Sequence, residues 1–185
     1  LQEGNPSHSP PASKYNLTHV SETTATTLAS ALFYLAKYQD KQKKLQTLLD
    51  QAMPGGYNQW SYEKVKSVSY VDDFISETLR LKPALLTGGA RETPAKGIQV
   101  GETYIPGNTN VVVPISLIQR DARYWPQPNE FVPERFGEKR AEMETDKAPY
   151  LPFSLGKFHT FLVFRTIMLM RSQARMDAQE RTLRN

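Results

Sequence analysis

Leu28, Leu32, Leu35 and Ala36 recur at three- and four-residue spacing and predict a helix from Glu22 onward. Residues 1–18, rich in Ser, Pro and Asn and without a period, read as loop or disorder. Asp40 can cap a second helix with Leu45, Leu48 and Leu49 on its apolar face, ended by Pro54-Gly55-Gly56. Ser61 opens a short polar helix. Ser69 can cap the next, with Asp72 three residues on. The buried face of that helix is expected at Val71, Phe74, Ile75 and Leu79, and Pro83 stops it. Strands are expected over 98–100 and 110–113, with a type II turn at Pro106-Gly107 between them, then a short helix near 116–120. Residues 121–157 are proline-rich and read as an irregular meander packed on something else. The sum is a mainly α fold with a small antiparallel β-sheet.

Beyond residue 157 the pattern changes. Nine of the thirteen residues in 158–170 are Phe, Leu, Val, Ile or Met, interrupted by Arg165. The tail that follows is polar and carries Arg171, Arg175, Arg181 and Arg184. Thirteen residues are too few to cross a bilayer, and no membrane span is expected. The first residues have no basic region leading into an apolar run, so no signal peptide is expected. A net charge of +4 raises the question of nucleic acid, but acids lie among the basic residues throughout, so no nucleic-acid partner is expected. The chain has no cysteine, which removes disulfides, thiolate metal sites and thiol nucleophiles, and fits an intracellular protein.

Three spaced motifs carry more. Glu77-Thr78-Leu79-Arg80 puts an acid and a guanidinium three apart on one helix face. Pro133-Glu134-Arg135-Phe136 adds a second arginine, and Pro152-Phe153-Ser154-Leu155-Gly156-Lys157 follows. In this order they resemble the haem-binding half of the cytochrome P-450 superfamily, the haem-thiolate monooxygenases, over residues 21–157. The resemblance implies a partial cytochrome P-450 fold, its carboxy-terminal half. It implies that Glu77, Arg80 and Arg135 form an ion-pair triad locking the meander onto the helix. It also implies that Arg91 holds a haem propionate, although Arg91 could equally be an exposed arginine paired with Glu92. Phe153 and Gly156 would cradle haem. Ser21-Glu22-Thr23-Thr24 resembles the family's oxygen-activation segment, in which Glu22 and Thr23 would deliver protons. The same four residues also suit a plain helix start capped by Ser21.

The family's third motif ends in an iron-ligating cysteine four residues after the glycine. Here that position is Thr160, so no metal ligand is expected there. A hydroxyl cannot supply the thiolate that favours O–O cleavage. Phe158 and Leu162 depart from the family's pattern beside it, as His19 and Val20 do at the other border. Residues 1–20 and 158–185 therefore read as an irregular leader and a divergent tail, of the kind an intron, a shifted frame or a misjoined exon would leave.

The resemblance implies a parent activity: insertion of one oxygen atom from dioxygen into a small organic substrate. Haem would be the cofactor and a flavoprotein reductase the electron donor, often at the endoplasmic reticulum membrane. The chain itself is expected to be inactive. Two other readings are a non-catalytic relic or interaction module, and a haem binder ligated through His159.

Overall fold

The structure, a computed structural model, describes residues 12–154, with side chains from residue 22 onward. The leucine stripe lies on helix α1, Ala12–Lys37. The helix starts at Ala12, inside the stretch expected to be loop, because an established helix propagates at little cost per residue through helix formers such as Ala12, Lys14 and Leu17. Ser21 is therefore interior to the helix and does not begin it.

Helix α2, Gln39–Ala52, follows after the single residue Tyr38, which takes the N-cap position. Asp40 lies inside the first turn and does not cap. The Tyr38 ring stacks on Phe131 at 5.2 Å, and that contact sets the junction. Leu45, Leu48 and Leu49 are half-buried. Helix α3, Tyr62–Lys66, is capped as expected: the Ser61 hydroxyl accepts from the Lys64 N–H at 3.3 Å.

Helix α4, Ser69–Leu81, differs in two respects. Its N-cap is Val68, itself buried, so Ser69 falls within the first turn. Its buried residues include Phe74 and Leu79 as expected, but also Glu77, Thr78 and Arg80, whereas Ile75 is 41% exposed. The apolar stripe marks only part of the buried face, because what also covers α4 is a segment rich in carbonyl groups.

Four short strands form two separate two-stranded antiparallel sheets instead of one. Strand β1 (Ala90–Glu92) pairs with β4 (Asn110–Val112), and β2 (Ile98–Val100) pairs with β3 (Thr103–Ile105). Strands β1 and β3 lie outside the ranges expected from the sequence. Pro106-Gly107 is not the expected type II turn, since the left-handed residue is Asn108 at φ 55°. Gly107 serves another need: a Cβ there would overlap the Ala95 carbonyl oxygen.

Helix α5, Ile115–Ile118, leads into the meander, which has 3₁₀ turns at Pro133–Phe136 and Thr145–Lys147. Phe131 from the meander closes the apolar core. It stacks on Tyr34 of α1 at 4.2 Å and meets the edge of Phe74 of α4 at 5.0 Å, with Leu81 beside them. Of the α1 leucines, Leu35 packs against this core, but Leu28 and Leu32 are 60% and 57% exposed. Among the described residues no helix is long and apolar enough to cross a membrane.

Because Phe131 joins three elements, Phe131→Ala is expected to lower stability by about 3–5 kcal/mol and Phe131→Leu by less. Urea unfolding followed by near-UV circular dichroism measures both; a Phe131→Leu protein as stable as the parent would mean that ring stacking is immaterial.

Candidate functional site

The centre of the molecule is polar. Glu77 and Arg80 share one face of α4, and the 3₁₀ turn at Pro133–Phe136 brings Arg135 against them; all three are fully buried. Arg80 grips the Glu77 carboxylate with two prongs, Nε to Oε2 at 2.7 Å and Nη2 to Oε1 at 2.9 Å. Arg135 donates from Nε to Glu77 Oε1 at 3.1 Å. The Val132 N–H also donates to Oε1, at 2.8 Å.

One carboxylate between two guanidiniums leaves a buried excess of positive charge. Carbonyl dipoles offset it. Arg80 Nη1 donates to the Gln119 and Pro128 oxygens, both at 2.8 Å, and Nη2 donates to the Glu130 oxygen at 3.0 Å. Arg135 donates to the Pro126 oxygen at 2.9 Å and the Gln127 oxygen at 3.1 Å. Proline suits these positions, because Pro126 and Pro128 present carbonyls without N–H groups that would themselves need partners. The Trp125 ring, fully buried, faces both guanidinium carbons, Arg80 at 5.1 Å and Arg135 at 5.8 Å. Burial and the neighbouring Arg80 charge pull the Arg135 pKa below its ordinary value, and Glu77 opposes them.

A second carboxylate in the same turn was not singled out from the sequence. Glu134 Oε1 accepts from Lys41 at 3.2 Å, Lys44 at 3.1 Å and the Tyr70 hydroxyl at 3.1 Å, which ties α2 and α4 to the meander. Burial alone would raise the Glu134 pKa, but backbone hydrogen bonding and the two ammonium groups outweigh it and hold the carboxyl below its ordinary range. The sequence signal was present in Lys41 and Lys44 at helical spacing, but nothing local pairs them with a residue about ninety positions away.

Gln119 was missed as well. It is fully buried, its amide nitrogen donates to the Leu79 and Arg80 carbonyls, and its amide oxygen accepts from the Leu151 N–H.

The other candidate residues lie outside the buried cluster. Glu22 is exposed and Thr23 half-buried on a helix that continues unbroken past them, where the Thr27 hydroxyl donates to the Thr23 carbonyl at 2.8 Å. Arg91 is exposed on β1 and donates to the Ala90 carbonyl at 3.0 Å. Glu92 follows it directly in the strand, so the two side chains point to opposite faces. Phe153 is 48% exposed. Gly156, His159 and Thr160 lie outside the described residues. A cavity of about 320 Å³ opens beside α2 and the start of α4, lined by residues such as Leu48, Gln51 and Tyr70, and none of the candidates lines it.

This donor set does not fit a thiolate-bound haem. The chain has no cysteine to supply a thiolate, and Arg91, which the resemblance assigns to a propionate, is exposed and donates to the carbonyl of its own neighbour Ala90.

Two outcomes follow from the buried cluster. Glu77→Gln keeps the volume but leaves two buried guanidiniums under-compensated, and should cost roughly 3–5 kcal/mol. Glu138→Gln, at an exposed salt bridge to Lys44, should change stability by no more than about 1 kcal/mol. Comparative urea denaturation decides it; similar losses would show that burial of the triad carries no special weight. The second concerns Tyr150, whose hydroxyl donates to the Ser76 carbonyl at 3.2 Å and whose pKa burial pushes up to about 12. A raised phenol contributes stability that is complete below its unfolded value near 10 and is lost as pH rises through about 12. Tyr150→Phe should flatten that alkaline slope in denaturation curves collected across this range; an unchanged slope would exclude the phenol as its source.

Comparison with known proteins agrees with this architecture. The cytochrome P450 family model matches residues 17–157, starting at Leu17 instead of Ser21. The chain is 44% identical over 138 residues to cytochrome P450 monooxygenase eupD of Phoma sp, covering 75% of this chain and 47% of the relative. It is 46% identical over 138 residues to cytochrome P450 monooxygenase orf5 of Eupenicillium brefeldianum, covering 75% of this chain and 27% of the relative. Against cytochrome P450 3A16 of Mus musculus it is 36% identical over 135 residues, covering 73% and 26%. The matched segment thus spans about half of the first relative's length and about a quarter of the others'. By the match over residues 17–157, the chain belongs to the cytochrome P450 family.

Proposed function

We propose that this chain carries the haem-proximal scaffold of a haem-thiolate monooxygenase and does not itself insert oxygen. The observation that supports this is the contrast between a buried, hydrogen-bonded Glu77–Arg80–Arg135 lock and a chain with no thiolate to offer. In the family reading, haem supplies oxygen activation, and the substrate is a small organic molecule oxidised with electrons from a flavoprotein reductase. Glu22 and Thr23 stand for the proton-delivering pair, Arg91 for the propionate contact, and Phe153 and Gly156 for the haem loop. Residues 158–185 follow this scaffold as a divergent tail, whereas the family match already takes in residues 17–20. A non-catalytic relic or interaction module would use the same scaffold.

The reduced protein treated with carbon monoxide tests the proposal. No thiolate-type absorption shift is expected from the chain as it stands or from Thr160→Cys, because Phe158 and Leu162 also depart from the family's loop. A thiolate-type shift from either protein would overturn the inactive reading. A histidine-type haem band would favour ligation through His159.

A further inference from the structure

Helix α4 ends where a helix cannot satisfy itself. Its last carbonyls have no partner within the helix, and Pro83 prevents another turn. All four are nevertheless bonded. The Thr78 oxygen accepts from the Lys82 N–H at 2.7 Å, the Leu79 and Arg80 oxygens accept from Gln119 Nε2 at 3.2 and 3.1 Å, and the Leu81 oxygen accepts from Arg120 Nη2. Residues beyond α5 thus cap α4 from outside.

Gln119 does more than cap. Its own carbonyl accepts from Arg80 Nη1 at 2.8 Å, within the lock, and its side-chain oxygen accepts from the Leu151 N–H at 2.8 Å. Leu151 opens a tight turn in which the Ser154 N–H returns to the Leu151 oxygen at 2.9 Å, with Ser154 left-handed at φ 66°. With its backbone N–H on the Ile115 oxygen at 2.9 Å, Gln119 has a partner for every polar atom.

We infer that Gln119 is a positioning residue that ties the Leu151–Ser154 turn to the end of α4 beside the buried lock, so that protein contacts, without haem, set where that turn sits. This coupling does not rest on the functional reading above. One amide holds the end of α4 with its nitrogen and the Leu151 N–H with its oxygen. An aliphatic side chain of equal length would fill the same space and carry none of this.

Backbone amide exchange of the full chain, followed residue by residue by NMR, tests the inference. In Gln119→Met the Leu151 amide should lose roughly tenfold in protection, the equivalent of one hydrogen bond, while the Val132 and Arg135 amides of the lock stay protected. The inference fails if Leu151 stays protected in Gln119→Met, or if Val132 and Arg135 lose protection equally. A thiolate-type spectrum would overturn the functional reading and leave this coupling intact.

Discussion

The described structure is organised around the Glu77 carboxylate, fully buried and shared by two guanidiniums. Desolvating three charged groups is expensive, and their mutual attraction offsets that cost only when every remaining donor is met. For Arg80 this condition holds: its five N–H donors have five acceptors, two on Glu77 and three on backbone carbonyls. That requirement dictates the meander's path. Residues 126–130 pass over α4 with their carbonyls turned inward because two buried cations need acceptors, and prolines at positions 126 and 128 allow this without stranding N–H groups.

Around that centre the apolar packing is modest. Phe131 brings the meander, α1 and α4 together, and Trp125 fills the space between the two guanidiniums. The Glu134 cluster secures α2 from the same 3₁₀ turn that carries Arg135. Adjacent residues Glu134 and Arg135 thus face two different partners, which makes this short turn the junction of the described fold. Part of α1 has no such cover, as the exposure of Leu28 and Leu32 shows.

Much of the architecture was legible along the chain. The helices at 22–37 and 62–66 and the stop at Pro83 follow from local period and local caps, and the structure retains them. The caps proposed at Asp40 and Ser69 were displaced by one or two residues, because Tyr38 is held against Phe131 and Val68 is buried, which no local signal reports. Strand β1 was missed because Ala90–Glu92 carries no β-branched or aromatic residue. For the site, the spaced motifs named Glu77, Arg80 and Arg135, but Glu134 and Gln119 stayed hidden. The side chain of each acts through partners at least thirty residues away.

Two things were settled by sequence alone: membership of a haem-protein family, through motifs whose order is specific, and the lack of a thiolate, because a missing residue type is a compositional fact. Tertiary structure decided the rest. Whether Glu77 and its arginines are a surface contact or a buried lock depends on what covers α4, and covering is a relation between distant segments. Burial turns an ordinary ion pair into the constraint that places the meander, because only in a low-dielectric interior must every charge and every N–H find its partner.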